Sequence, residues 1–290
     1  MQSLQPVVFG EVLFDTFSDG RRVIGGAPFN VAWHLHGFGL RPRFISRVGN
    51  DDEGRQVLDA MRNWGMARGD VQTDDAHPTG RVLVTIDDGE PSFRIESDAA
   101  YDFIDPRRMP GQVSSVLYHG SLAIRNPTSR QALERIGAPP AGVVCDLNLR
   151  DPWWTPDHVE WCLRRSRWLK LNAGELETLS RMPAAEASGC LGAARAMTAR
   201  FGIPNLVVTR GGEGALGLFG NGDPLWQPAA PVRKMVDTVG AGDAFAAVMI
   251  LGILRNWDAA AMLRRAARFA AAICGQRGAT SWDRALYVFE

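Results

Sequence analysis

Short β-type runs alternate with helical stretches from about residue 7 to 214, and for this order a parallel sheet flanked by helices is the natural fold. VVFGEVLF near 7 to 14 is followed by the helical FNVAWHLHGFG, then by RFISRV and the amphipathic EGRQVLDAMRNWG. The alternation breaks once. From Thr79 to Ile95 two strand-like segments, TGRVLVTID and PSFRIES, are joined by Asp88-Gly89-Glu90 with no helix between them, which reads as a hairpin insertion. It resumes with SSVLYHGSL, a helix from about 128, GVVCDLNL, HVEWCLRRS, RWLKLN, helices from about 173 and 189, and NLVVTRGGEG. Helical crossovers place helices on both faces of such a sheet. The expected fold is one α/β domain over 1–290, with a mainly parallel central sheet and a small β lid from about 12–24 and 79–98.

A chain of 290 residues with 46% hydrophobic and 22% charged side chains can fill one large core. Its 32 basic and 32 acidic residues balance, so there is no general electrostatic reason to expect nucleic acid or an anionic membrane as partner, and any anion site must be local. Cys145, Cys162, Cys190 and Cys274 are far apart and form no C-x-x-C pair, which suggests neither a zinc knuckle nor a disulfide framework and fits a reducing cytoplasm. MQSLQPVVFGEVLFD lacks a basic segment leading into a long apolar one, and the longest apolar run, Ala244 to Leu254, is too short to span a bilayer, so neither export nor a membrane is expected.

The chemistry concentrates in DTVGAGDAF, residues 237 to 245, directly before that apolar run. Only Lys170 and Lys234 are lysines and neither follows a glycine, so a Walker A loop is absent, and Gly240 and Gly242 lack the third glycine of a dinucleotide fingerprint. Taken alone, Asp243 reads as the N-cap of the helix after it. The strand ends change that reading. Asp15, then Asp146, Asn148 and Arg150, then Lys170, Asn172 and Glu175, and finally Thr209 all fall where open parallel sheets bind ligands. Backbone N–H groups of Val239 through Gly242 at a helix mouth would form an anion hole for a phosphoryl group in flight, and Asp243 in the first turn could take the proton of an attacking hydroxyl.

These motifs resemble those of the ribokinase-like, or PfkB, family of carbohydrate kinases. DTVGAGDAF is similar to the family's C-terminal signature and GGAPFNVAWHLHGFG to its N-terminal one; KLNAGE, VVTRGGEG and AAAICGQRGATS match in order. The resemblance implies a three-layer α/β/α kinase with ATP and Mg²⁺, in which Asp243 is the general base and Gly240, Ala241 and Gly242 form the anion hole. It implies that Asp15, Gly25, Gly26 and Asn30 bind sugar hydroxyls, and that Thr209, Gly211 and Gly214 form the nucleotide loop. Asn172 would lie near the triphosphate and Glu175 would reach Mg²⁺ through water. Asp237, Val239 and carbonyls around Ile273, Gln276 and Gly278 would hold a monovalent cation such as K⁺.

GEVLFD, GGAPFNVA, DLNLRDPWW and IESDAAYDFID look most like the fructokinase branch, so the expected acceptor is fructose. Arg125, in GSLAIRN, leaves an alternative: a guanidinium facing the pocket could bind neutral sugar oxygens or the carboxylate of a 2-keto-3-deoxygluconate-type acid. A nucleoside kinase of the same family and a catalytically silent sugar-binding regulatory protein are the other readings. The lid could also pair across a homodimer. His34 and His36 point to opposing helix faces and Trp153-Trp154 suits a sheet–helix interface, so both pairs are read as structural.

Overall fold

The computed structural model describes residues 5–87, 90–111, 113 and 115–288; Asp88 and Gly89 of the expected hairpin turn lie outside them. The first apolar run is not one strand. It divides into β1 (Val7–Phe9) and β2 (Leu13–Phe17), which belong to different sheets. The remaining strands are β3 (Arg22–Gly25), β4 (Arg43–Gly49), β5 (Val71–Asp74), β6 (Gly80–Asp87), β7 (Glu90–Ile95), β8 (Leu117–His119), β9 (Val143–Asp146), β10 (Trp168–Asn172), β11 (Asn205–Thr209), β12 (Ala215–Phe219) and β13 (Leu225–Gln227). The helices are α1 (Ala27–Gly37), α2 (Asp52–Trp64), α3 (Pro127–Glu134), α4 (Pro156–Arg165), α5 (Ala173–Ser180), α6 (Ala187–Phe201), α7 (Ala241–Leu254) and α8 (Ala259–Cys274).

Nine strands form the central sheet in the order β13-β12-β11-β10-β9-β8-β1-β4-β5, parallel from β11 to β5 and antiparallel at β12 and β13. Side-chain alternation along each strand feeds two cores. Val8, Val144 and Val207 face the core built with α1, α2, α7 and α8, while Val7, Phe9, Val143, Cys145, Leu206 and Val208 face the one built with α3 to α6. The result is the three-layer α/β/α arrangement. Because the parallel strands run the same way, Asp146, Asn172 and Thr209 arrive on one edge of the sheet. A second sheet, β3-β2-β6-β7, stands over that edge and packs Leu13, Val82, Val84 and Ile95 against Tyr101 and Leu122. Helix α7 is buried from Ala244 to Gly252, which fixes its N-terminus under this second sheet. No helix among the described residues is long and apolar enough to cross a membrane.

Candidate active site

The turn before α7 is built around Gly240. Its φ of +79° is left-handed, and a Cβ there would lie 2.4 Å from the Ala279 Cβ, so both conformation and space require glycine. Gly240 is the N-cap and Asp243 the third helical residue, which corrects the simple N-cap reading of Asp243. Two of the four expected anion-hole donors are used locally: Val239 N–H donates to Asp237 Oδ1 (3.0 Å) and Ala241 N–H to the Thr238 carbonyl (3.3 Å). Among the described residues the N–H groups of Gly242 and Asp243 have no partner, and they open at the positive end of α7.

Helix α1 packs against α7 and brings Asn30 to Asp243, with Asn30 Nδ2 donating to Asp243 Oδ2 at 2.8 Å. The N-cap of α1 is Gly26 at φ +103°, where a Cβ would meet the Glu11 carbonyl at 2.8 Å; Gly25 passes so close to Asp15 that its Cβ would lie 3.0 Å from Oδ2. Glu11, Asp15, Asn30, Arg150 and Asp243 surround a pocket of about 380 Å³, closed on the other side by Leu13, Val82 and Ile95 of the second sheet. Burial raises all three carboxylates. Asp243 is pushed up to about 6 by burial and by the charge of Asp146, against the Asn30 hydrogen bond and the nearby Lys170 and Arg150. Asp15 rises to about 6 by burial, opposed by Arg150. Glu11 reaches about 7 through burial and the neighbouring Asp243, and its Oε2 is buried without a hydrogen-bond partner.

A second cleft of about 600 Å³ adjoins the first, and the two share Thr238 and Gly242. Thr209, Gly211 and Gly214 line one wall, and Pro231, Val232, Met235, Phe245 and Ala270 make the rest largely apolar. Met235 is 59% exposed, an apolar side chain left for a ligand to cover. Between the clefts Lys170 Nζ donates to Asp146 Oδ2 at 2.7 Å; burial pulls the ammonium down, but the charge and hydrogen bond of Asp146 together with the charges of Glu175 and Asp243 offset this and leave it raised. Asn172 and Glu175 form a capping box: Asn172 Oδ1 accepts from Glu175 N–H (2.9 Å) and Glu175 Oε2 from Asn172 N–H (2.8 Å). Glu175 Oε1 accepts from Leu149 N–H at 2.7 Å, so both its oxygens already hold backbone donors. Asp237 grips the turn after α8 through Gly278 N–H (3.1 Å), and the N–H groups of Val236 and Asp237 donate to the Cys274 carbonyl, which brings Asp237 against the segment carrying Ile273, Gln276 and Gly278.

Arg125 does not line the small pocket. Its Nε and Nη2 bond both Asp102 oxygens at 2.8 Å and Nη2 also donates to the Glu96 carbonyl, with Trp153 stacked 4.1 Å from the guanidinium carbon. The expected pocket arginine is instead Arg150, whose signal was its place in Asp146-x-Asn148-x-Arg150, with Asn148 at φ +46° turning the chain toward the pocket. Glu11 was not anticipated as a pocket group; a carboxylate between Gly10 and Val12 in an otherwise apolar run was the available sign. His34 is held between the Tyr287 hydroxyl and the Ala279 carbonyl, and burial lowers it to about 3, as befits a core residue.

The model of the pfkB family carbohydrate kinases matches residues 8–285. The fructokinase of Klebsiella pneumoniae is 33% identical over 262 residues, covering 85% of this chain and 83% of its own, and that of Escherichia coli is 30% identical over the same shares. The solved fructokinase of Vibrio cholerae O395, in its fructose, ADP and calcium ion bound form, superposes with a TM-score of 0.82 at 26% identity over 98% of both chains. The chain therefore belongs to the pfkB family of carbohydrate kinases, on its fructokinase side, as a phosphotransferase acting on a sugar hydroxyl.

Proposed function

We propose that this chain is an ATP-dependent fructokinase. The observation that carries the reading is the junction of the two clefts at Thr238 and Gly242, with Asp243 on one side and free N–H groups between. The small pocket is the sugar site. Asp15 and Glu11 offer oxygens to hydroxyl donors, Arg150 offers a cationic donor, and Asp243, oriented by Asn30, takes the proton of the attacking hydroxyl. The N–H groups of Gly242 and Asp243 hold the negative charge that develops on the transferred group. The apolar cleft suits a purine, with the loop at Thr209 to Gly214 at its side. Glu175, with both oxygens already accepting backbone bonds, fits a water-mediated rather than direct partner of Mg²⁺. Bound Mg²⁺ would supply charge neutralisation on the phosphates. The Asp237 carboxylate beside the 273–278 turn fits a monovalent cation such as K⁺.

Electrostatics favour a neutral acceptor. Three carboxyl groups face Arg150, while Arg125 is neutralised by Asp102, so a sugar acid would add a further acidic group to a site where burial already disfavours negative charge. Among the described residues no aromatic ring lines the pocket, which disfavours a nucleoside base. Screening fructose, 2-keto-3-deoxygluconate and adenosine for ADP release tests this: rapid release is expected with fructose alone, and preferred turnover of either other compound overturns the substrate while leaving the kinase chemistry in place.

A further inference from the structure

On the face of the sheet opposite α1 and α7, three residues distant in sequence converge. His119 ends β8, Cys145 is its registered partner on β9, and Cys162 comes down from α4; their ligand atoms all lie within 4.8 Å of one another and each residue is 0% exposed. The spacing of these cysteines along the chain conceals this, because the pairing of β8 with β9 and the packing of α4 assemble the cluster.

His119 Nδ1 lies 2.9 Å from the Gly120 carbonyl, so Nδ1 carries the proton and donates it, leaving Nε2 with a free lone pair. That Nε2 is buried without a hydrogen-bond partner. Metal-bound histidines commonly show this arrangement, one nitrogen anchored on a backbone carbonyl and the other aimed at the ion. His158, four residues before Cys162 and on the same side of α4, lies close enough to that thiol to bear on its charge, and its Nε2 is likewise buried and unpartnered. Buried cysteines alone are ordinary core residues. Two imidazole nitrogens left unsatisfied around two thiols are not, because buried polar groups are nearly always paired.

We propose that His119, Cys145, Cys162 and His158 form a buried site for Zn²⁺. Two thiolates balance the charge of the ion and two neutral imidazoles complete a tetrahedral N₂S₂ set. Binding forms two Zn–S and two Zn–N bonds and releases both thiol protons to solvent. Zn–S bonds of about 2.3 Å place two tetrahedral sulfurs about 3.8 Å apart, so the group of His119, Cys145 and Cys162 needs to contract by roughly an ångström at most, while the His158 side chain turns in to complete the set. Arg165, stacked 4.8 Å over the Trp161 ring, places a positive charge near Cys162 that favours its thiolate. The site ties the ends of β8 and β9 to α4. Those strands lead into Leu122, Asn148 and Arg150 of the sugar pocket, so the ion would brace the pocket without entering it.

The reduced, metal-stripped full-length chain is titrated with Co²⁺ as a spectroscopic probe. We expect one equivalent to bind with thiolate-to-cobalt charge transfer and the intense visible absorption of a tetrahedral site, to be displaced by one equivalent of Zn²⁺, and Zn²⁺ to raise the melting temperature. Cys162→Ser should abolish the charge-transfer band. His158→Gln, which keeps a polar side chain of similar length, should weaken binding by about 100-fold, at least what loss of an outer-shell partner costs. Both variants should keep the circular dichroism spectrum and sugar phosphorylation of the metal-free enzyme. Absence of a stoichiometric band in the unmodified chain, a band that survives Cys162→Ser, or formation of a Cys145–Cys162 disulfide in place of the complex overturns the proposal.

Discussion

Asp243→Asn should make the protein more stable and nearly inactive at once. The substitution keeps the shape and can still accept the Asn30 hydrogen bond through the amide oxygen, so it tests charge alone. Asp243 is raised from 3.8 to about 6 in the folded chain, chiefly by burial. Between these values the folded state binds more proton than the unfolded one. The stability associated with the protonated carboxyl is therefore fully present below about pH 4 and is lost as pH rises through about 6. A two-unit shift corresponds to about 3 kcal/mol at neutral pH. The residue is partly open to the pocket, where water screens it, so we expect about 1–2 kcal/mol of stabilisation from removing the charge. Denaturant unfolding of both forms at about pH 7.5 and again below about pH 4 reads this directly, and the difference should vanish at the lower pH, where the carboxyl is neutral in both states. Turnover with saturating sugar should fall by about 10²–10⁴-fold because the proton acceptor is gone. A variant that is less stable than the parent at the higher pH, or one that keeps near-normal turnover, would refute the assignment of Asp243 as a buried ionised base.

The acid limb of kcat/KM should rise with pH to a plateau above about 6, and Glu11→Gln should leave that limb nearly in place, because Glu11, raised to about 7, is still protonated while Asp243 loses its proton; a pH–rate profile would show this. Gly240→Ala forces a side chain into left-handed backbone and into Ala279, so it should lose about 1–3 kcal/mol or more in thermal unfolding along with activity. Gly242→Val should instead fold normally, its Cβ meeting only Lys170 Nζ at 3.5 Å, yet lose turnover because the side chain stands where the phosphoryl group must approach; normal activity would argue against the anion hole. Arg125→Gln breaks a buried bidentate pair and should cost about 3–5 kcal/mol of stability, whereas Arg150→Gln should leave unfolding almost unchanged and raise KM for the sugar. Reversal of that pair of outcomes would return Arg125 to the pocket.

What the sequence discloses is what is local along the chain. The turn at 237–245 is legible because the N–H donors, the glycines and the Asp243 carboxylate occupy one helix start, and the sheet is legible because alternating strands and helices leave few ways to pack. Asn172 and Glu175 show the limit of a motif: the same Asn-x-x-Glu that marks a nucleotide site is also an N-cap with its reciprocal partner, and the structure displays the capping bonds. Residues whose surroundings depend on distant packing are not legible in this way. Arg125 and Arg150 both follow strand-like segments, and only the presence of Asp102 beside one and its absence beside the other separates a structural ion pair from a pocket cation.

The division between what reads locally and what does not also explains the electrostatics of the sugar pocket. Glu11 comes from the break between β1 and β2, Asp15 from the second sheet and Asp243 from α7, so no sequence window holds more than two of the three. Each is an ordinary carboxylate in its own segment. Their raised proton affinities arise only when the second sheet covers the edge of the central one and removes water from all three. Closure of that sheet over a bound sugar would dry the pocket further and raise the affinity of Asp243 for the hydroxyl proton. On the proposed assignment, Asp243 would thus be a stronger base with a sugar enclosed than with the pocket open to water.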